Sequence, residues 1–191
     1  MTKTLSESGY LVGKCLVAMP AMQDTNFSRT VVYVCAHTAE GAMGLVVNRT
    51  IEQLSFDDIL EQMDIEPGIG TQSIRVHFGG PVEAARGFVL HTADYRDEGT
   101  LPVDSNVSLT ATADVLKDIA KGSGPRRRLM VLGYAGWGSG QLDEELKENA
   151  WLICPPDEKL LFGEDNEAKW NTAMKLMGVD MSRLSDTAGH A

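Results

Sequence analysis

The amino-acid sequence predicts an α+β fold built on a largely antiparallel β-sheet. Segments rich in β-branched and aromatic residues recur along the chain and are joined mainly by short turns, which is typical of hairpins. Segments with helical spacing of apolar residues provide the helices. The chain has 191 residues, of which 43% are hydrophobic, so one domain with a sizeable core is expected.

The strand predictions depend on apolar runs and on alternation between apolar and polar residues. The segment Thr30–Ala36 reads TVVYVCA, and Met43–Asn48 returns after a turn at Gly41, which indicates a hairpin. Ser73–Phe78 alternates as a half-buried strand does, and a tight connection separates it from the return strand Gly87–Thr92. The remaining strand-like segments are 10–19, 106–109, 129–132 and 151–154.

The helix predictions depend on capping residues and on apolar residues three or four positions apart. Ser55 can cap a helix whose apolar face includes Phe56, Ile59 and Leu60. Gly122 is placed to end a second helix. This second helix is predicted at 112–121. The remaining helices are predicted at 141–149, 155–162 and 166–177. We expect a flexible segment at 1–9, a single domain at 10–178 and a polar tail at 179–191.

Charge and cysteine content limit the classes of function. The chain has 17 basic and 27 acidic residues, a net charge of −10, which disfavours direct binding to nucleic acid or to anionic membranes. The three cysteines are dispersed and form no CxxC motif, which excludes zinc-ribbon and thioredoxin readings. No apolar segment has the length of a signal peptide or of a membrane span. We therefore expect a cytoplasmic protein without a membrane partner.

The glycine-rich segment Gly136–Gln141 between a strand and a helix is the first candidate site. Such a turn can direct several backbone N–H groups at an anion. However, Gln141 and Leu142 stand where a phosphate-binding loop needs Lys and Ser or Thr, and Asp143–Glu145 would repel a phosphate. The alternative is that the glycines permit a sharp turn and close helix packing. Trp137, surrounded by small residues, is expected to be partly exposed and to anchor a partner or small ligand.

The same segment allows a hydrolase hypothesis. Ser139 lies between glycines, but their spacing differs from that of the GxSxG nucleophile elbow. A serine nucleophile also needs a base, and His37, His77 and His91 are the possibilities. The sequence brings none of these histidines to Ser139.

Three further clusters of charged or polar residues each have two possible interpretations. The carboxylates of 143–145 and Glu148 could hold a divalent cation, although Lys147 can form ordinary helix ion pairs with them. His77 and His91 could form a polar patch with nearby arginines, or be structural or surface histidines. The run Arg126–Arg128 could contact phosphate, or could pair with carboxylates at the start of a strand.

Several blocks of residues, taken in their order along the chain, resemble the AlgH/YqgE family of small bacterial proteins. The resemblance extends from about Gly13 to Gly178. Its blocks are GKCLVAMP (13–20), FSRTVVYV (27–34), GLVVNR (44–49), FGGPV (78–82), GFVLH (87–91) and GYAGWGSGQLDEE (133–145).

The resemblance implies a bifurcated antiparallel sheet rolled into a pseudo-barrel and flanked by several α-helices. It also implies a role as a transcriptional regulator, and it carries over no catalytic residue, no metal and no cofactor. Its blocks fall on residues that we take as candidates for binding a ligand or partner. These are Arg29, Asn48, Arg49, Gly79, Gly80, Pro81, His91, Trp137, Gly138, Ser139, Gly140 and Gln141.

The sequence favours a non-catalytic binding protein over an enzyme. In this hypothesis a polar groove lined by Arg29, Asn48, Arg49, His91 and the Trp137 loop binds a protein or a small molecule. Because the chain is acidic and has no clear helix-turn-helix, regulation is expected to act through that partner rather than by direct contact with DNA. A hydrolase-like enzyme using His91 or Ser139 is the alternative, and direct DNA binding is a third hypothesis.

Overall fold

The computed structural model describes residues 10–180 and confirms the α+β class. The terminal segments predicted at 1–9 and 179–191 lie outside this range, except for residues 179 and 180. The strands are β1 (Cys15–Ala18), β2 (Val31–Thr38), β3 (Gly41–Val46), β4 (Thr50–Ser55), β5 (Arg75–Phe78), β6 (Val82–Thr92), β7 (Thr100–Pro102), β8 (Val107–Thr110), β9 (Arg128–Trp137) and β10 (Trp151–Cys154). The helices are α1 (Phe56–Gln62), α2 (Ala113–Lys121), α3 (Gln141–Lys147), α4 (Glu158–Phe162) and α5 (Asn166–Leu176), with a 3₁₀ turn at Thr71–Ser73.

Strand β9 is the element to which the rest of the ten-stranded sheet attaches. Along one edge it pairs antiparallel with β6. Along the other edge its first half runs parallel to β5, with Val76 opposite Met130, and its second half runs antiparallel to β3, with Gly44 opposite Ala135. The sheet therefore forks along β9 and curls into a half-barrel, which confirms the predicted bifurcated, largely antiparallel arrangement.

Glycines allow the backbones to meet closely at this fork. A Cβ atom at Gly79 would lie 2.3 Å from the Gly133 carbonyl oxygen, and one at Gly80 would lie 2.2 Å from the Tyr134 carbonyl carbon. The Gly79 N–H donates to Leu132 O at 2.8 Å, and its carbonyl accepts from Val46 N at 2.8 Å. The predicted candidates Gly79 and Gly80 thus join three strands at a point where side chains cannot fit.

Three apolar clusters fill the space between the sheet and its helices. The largest lies between β1–β3, β9 and the helices α4 and α5. A second packs α1 and α2 against β5, β6 and β9, and it contains the predicted apolar residues Phe56, Ile59 and Leu60. The third contains Trp137, Trp151 and Leu142 beneath α3. No helix within residues 10–180 is long and apolar enough to span a membrane.

Several predicted elements differ from the structure. Strands β4 and β7 were not predicted, since β4 has only one sheet neighbour and β7 has three residues within a polar segment. Strand β9 continues through Gly133 and Gly136 to Trp137, where the sequence suggested a break. Strands β5 and β6 do not form a hairpin, because β9 lies between them.

Candidate functional site

Trp137, at the end of β9, is buried rather than partly exposed. Its side chain has only 7% of its surface accessible, so the prediction that its small neighbours leave it uncovered was wrong. Phe27 stacks on Trp137, and the two ring centroids are 6.5 Å apart. Glu145 Oε1 accepts hydrogen bonds from Trp137 Nε1 at 3.3 Å and from Trp151 Nε1 at 3.0 Å. The indole is therefore part of the core beneath α3.

The turn that follows Trp137 uses its polar groups internally. The Gly138 N–H donates to Gln141 Oε1 at 2.9 Å, and Gln141 N donates to Gly138 O at 3.1 Å. Ser139 Oγ donates to Ala39 O at 2.7 Å, which ties the turn to the β2–β3 hairpin. Gly140 adopts φ +70° at the start of α3, a conformation that suits glycine. These contacts favour the reading of a sharp structural turn over that of an anion-binding loop.

No histidine within residues 10–180 hydrogen-bonds to Ser139. His37 Nδ1 accepts from Leu11 N at 3.0 Å, so its ring proton lies on Nε2, which faces Asp143 Oδ1 at 3.9 Å. His37 therefore has no free nitrogen to accept a proton from Ser139. The nearby carboxylates likewise have ordinary contacts, as in the pair between Glu144 and Lys147 at 3.2 Å.

Arg29, Asn48 and Arg49 lie together and stabilise the loop that precedes β2. The Arg49 guanidinium donates to three carbonyl oxygens of this loop at 2.6–2.9 Å, those of Thr25, Asn26 and Ser28. Asn48 accepts from Val31 N and donates to Arg29 O, both at 2.9 Å. The Arg29 guanidinium covers the Trp170 ring at 4.9 Å. The side chains of Asn48 and Arg49 are thus bonded within this chain, and Arg29 packs on a tryptophan.

His91 is separated from these residues. It is fully buried, with Nε2 2.7 Å from Thr110 Oγ1 and Nδ1 2.8 Å from Thr92 O. It lies opposite Arg128 at the start of β9, whereas Trp137 lies at the end of that strand, roughly 30 Å away along a straight strand. The structure therefore does not assemble a groove from His91 and the Trp137 loop, and Pro81 lies immediately before β6.

A different set of polar residues surrounds a pocket of about 390 Å³. It lies where β5, the start of β9 and the segment before α5 come together. We call it the arginine pocket, and its polar lining residues are Ser73, Arg75, His77, Arg126, Arg127, Arg128, Glu164 and Asn166. Two of its features had appeared in the sequence as separate clusters: the run Arg126–Arg128, and His77 with its nearby arginines.

The arginine pocket concentrates buried polar atoms that lack a partner. Four such side-chain atoms occur within residues 10–180, and three of them belong to lining residues of this pocket. They are His77 Nδ1, Arg128 Nε and Asn166 Oδ1. His77 and Asn166 have only 4% and 7% of their surface exposed. Because an unpaired buried polar atom destabilises a folded protein by about 1–3 kcal/mol, these atoms are where water or a ligand would supply the missing partners.

The charge of the pocket is positive although the protein is acidic. Arg126 Nη1 lies 2.8 Å from Glu158 Oε1, and Arg127 Nε lies 3.7 Å from the same oxygen, so one carboxylate serves two guanidinium groups. Arg75 donates to the backbone carbonyl of Glu164 at 3.4 Å. Burial lowers the pKa of Arg128, whose guanidinium has no carboxylate within salt-bridge distance among residues 10–180. An anion in the pocket would balance this charge.

His77 is held as a neutral hydrogen-bond donor at the floor of the pocket. Asn166 Nδ2 donates to His77 Nε2 at 3.1 Å, which leaves the ring proton on Nδ1. Burial and, to a smaller extent, the nearby Lys169 ammonium lower the pKa of His77 to about 4, although contacts with Asn166 and with the backbone of Met130 and Arg75 act in the opposite direction. Lys169 is itself buried, with Nζ donating to Val47 O at 2.8 Å and Leu161 O at 2.9 Å. Burial lowers its pKa to about 8.

The lowered pKa of His77 predicts a specific acid sensitivity. In the unfolded chain histidine titrates near its ordinary pKa of about 6.5. Between that value and about 4 the unfolded state binds more protons than the folded state, so stability decreases as the pH falls through this window. We expect a loss of about 2–3 kcal/mol in the free energy of unfolding from this residue.

This acid sensitivity can be measured by chemical denaturation between pH 7 and pH 4. In the variant His77→Gln the stability difference across this window is expected to shrink by most of that amount. A variant with the same pH profile as the parent protein would show that His77 titrates normally in the folded state.

Sequence reasoning missed Asn166 and the convergence of the arginines with His77. The contact between Asn166 and His77 joins residues 89 positions apart. The parallel pairing of β5 with β9 brings His77 beside Val131, and no local pattern predicts it. The available signal was the Arg126–Arg128 run immediately before a strongly apolar strand in an acidic chain.

Comparisons with known proteins agree with the fold. An AlgH-like family profile, DUF179, matches residues 15–182. A UPF0301 protein of Rhodospirillum rubrum is 58% identical over 183 residues, covering 96% of this chain and 95% of that protein. A UPF0301 protein of Paracoccus denitrificans is 45% identical over 190 residues, covering 98% of this chain and 100% of that protein.

Comparison with solved structures shows the same fold. The solution structure of the AlgH protein from Pseudomonas aeruginosa matches with a TM-score of 0.78 and 44% identity, covering 96% of this chain and 97% of that one. A crystal structure of a protein from Corynebacterium diphtheriae has the same fold, with a TM-score of 0.72 at 18% identity, covering 87% and 86% of the two chains. The chain belongs to the AlgH-like family, also named UPF0301.

Proposed function

We propose that this protein binds a small anionic molecule in the arginine pocket and does not transform it. The observation that carries the proposal is the pair of buried donors without a hydrogen-bond partner, Arg128 Nε and His77 Nδ1, in a pocket that four arginines line. A pocket of about 390 Å³ suits a small molecule rather than a macromolecule. Within residues 10–180, Ser139 and the histidines form no hydrogen-bonded nucleophile–base pair, which supports a binding role over hydrolysis.

The chemistry of the lining residues fits a phosphate or carboxylate group. Arginine presents several N–H donors in a planar fork that matches both groups. Arg128 Nε–H and His77 Nδ1–H have no acceptor at hydrogen-bond distance within residues 10–180, and both residues line this pocket. Ser73 adds a hydroxyl, although its Oγ donates to Gly70 O at 2.7 Å. An oxyanion would accept from the two free donors and reduce the repulsion among the arginines.

The regulatory role implied by the family resemblance is compatible with this proposal if the protein acts through its ligand or through a protein partner. With a net charge of −10, the chain lacks the extended basic surface that phosphate backbones require. Two of the three arginines in the run 126–128 already pair with Glu158. We therefore propose regulation without direct contact with DNA.

Isothermal titration calorimetry with pyrophosphate as the probe tests the proposal. The substitution Arg128→Gln removes the least paired guanidinium, and we expect the affinity to fall at least about tenfold, as the loss of one charge-assisted hydrogen bond predicts. Arg96→Gln is the control, because Arg96 is exposed and does not line the pocket. Its affinity is expected to stay within about twofold of the parent value.

Two results would contradict the proposal. One is the absence of binding by the parent protein at millimolar pyrophosphate. The other is an equal loss for Arg128→Gln and Arg96→Gln, which would show that the anion responds only to net charge. Electrophoretic mobility-shift assays at low and moderate salt test the DNA hypothesis separately, and sequence-specific binding lost on substitution of Arg126–Arg128 would support it instead.

A further inference from the structure

The arginine pocket continues into a second depression of opposite charge. This depression measures about 750 Å³ and is lined by β4, β5 and the first turn of α5. We call it the acidic depression, because its charged lining residues other than Arg75 are Glu52, Glu164, Asp165 and Glu167. Four residues line both cavities, namely Ile74, Arg75, Glu164 and Asn166. The two cavities therefore adjoin, and we call them together the groove, with a basic and an acidic half.

The carboxylates of the acidic depression have no cation of their own within residues 10–180. None of the salt bridges in this part of the chain uses Glu52, Glu164, Asp165 or Glu167. Asp165 accepts from Ala168 N at 3.1 Å as the cap of α5, and the others are exposed. Their fields add in the space between β4 and α5, where a cation would be favoured.

An independent observation at the junction points to a hydrogen-bond donor on the ligand. Asn166 Oδ1 is buried, has no partner and belongs to a residue that lines both cavities. It is an acceptor, whereas the other two free atoms of the groove, on His77 and Arg128, are donors. A purely anionic ligand would satisfy the two donors and leave Asn166 Oδ1 without a partner. A ligand that also has an N–H group would satisfy all three atoms.

We propose that the ligand is a small zwitterion, with a phosphate or carboxylate in the arginine pocket and a protonated amine in the acidic depression. This inference rests on the proposed function, in which the ligand has an anionic group, and it adds a positively charged group to the same ligand. The amine would donate to Asn166 Oδ1 at the junction and face Glu52 and Glu167. The anion would accept from Arg128 Nε–H and His77 Nδ1–H, as before.

Two probes of equal length separate the two halves of the groove. Propyl phosphate has only the anion, and 3-aminopropyl phosphate has in addition a primary amine. Calorimetry with the full chain is expected to give an affinity about tenfold higher for the aminated probe, a factor typical of one charge-assisted hydrogen bond. In the double variant Glu52→Gln/Glu167→Gln, both probes should bind with the affinity of propyl phosphate.

Matched variants identify the source of the effect. The double variant Glu66→Gln/Glu98→Gln removes the same charge from exposed positions outside both cavities, and it should keep the tenfold preference. Arg128→Gln should weaken both probes by the same factor, since it acts on the phosphate alone.

The outcomes distinguish this inference from the proposed function. If propyl phosphate binds and the amine adds nothing, the ligand is only an anion, so the inference fails and the proposed function stands. If neither probe binds, both fail. A preference for the aminated probe that persists in Glu52→Gln/Glu167→Gln would show that the acidic depression does not hold the amine, which also overturns the inference.

Discussion

The substitution Gly80→Ala is expected to lower the free energy of unfolding by about 3 kcal/mol or more, through overpacking together with backbone strain. A Cβ atom at this position would lie 2.2–2.4 Å from backbone atoms of Tyr134 and Ala135, which are part of the central strand and cannot rotate away. In addition, Gly80 has φ +151°, a backbone conformation that residues with a side chain rarely adopt. The measurement is urea denaturation followed by circular dichroism.

The variant Gly70→Ala separates backbone strain from steric clash. Gly70 also has a positive φ, +85°, but a Cβ atom there would have no neighbour within 4 Å. The Gly70→Ala variant is expected to lose about 1 kcal/mol in the free energy of unfolding, the magnitude of left-handed backbone strain alone. Equal losses for the two variants would show that strands β5, β6 and β9 can separate at the fork without cost, contrary to the packing described above.

The substitution Glu145→Leu is expected to destabilise the protein by about 2–4 kcal/mol, because it leaves the two indole N–H groups of Trp137 and Trp151 without an acceptor. Each buried unpaired donor contributes about 1–3 kcal/mol to this loss. The tryptophan fluorescence of the folded protein should change as well, since both rings lose the contact with the carboxylate. Thermal unfolding followed by that fluorescence measures both effects.

Two milder variants show why Glu145→Leu destabilises the protein. Glu145→Gln keeps an oxygen that can accept from both indoles, so most of the stability should be retained. Glu144, the residue next to Glu145, is an exposed partner of Lys147. The substitution Glu144→Gln is expected to change the free energy of unfolding by less than about 1 kcal/mol. If Glu145→Gln were as unstable as Glu145→Leu, the negative charge rather than the acceptor would hold α3 against the sheet.

Much of the fold could be predicted because local patterns agree with tertiary packing. The capping of α1 by Ser55 and the end of α2 at Gly122 are both present in the structure. The hairpin of β2 and β3 and the strand β10 were also predicted correctly. What the sequence could not provide is pairing between distant strands, above all the insertion of β9 between β5 and β6.

The site was harder to predict than the fold, because a polar motif in sequence does not reveal whether its partners are internal. Arg49 and Asn48 resemble ligand-binding residues, yet their polar atoms hold a neighbouring loop. Trp137 appeared exposed because its sequence neighbours are small, but Phe27, distant in sequence, covers it. Conversely, Asn166 reads as an ordinary first residue of a helix, and only the three-dimensional arrangement places it beside His77.

The position of β9 in the chain has a consequence for biosynthesis. Strands β1–β3 pair among themselves, as do β4 with β5 and β6 with β8, and within residues 10–180 β9 is the strand that pairs with a member of each of these three groups. A ribosome makes β9 after about two thirds of the chain, at roughly 5–20 residues per second. The nascent polypeptide must therefore keep three unjoined partial sheets, with open edges prone to aggregation, until residues 128–137 emerge from the exit tunnel.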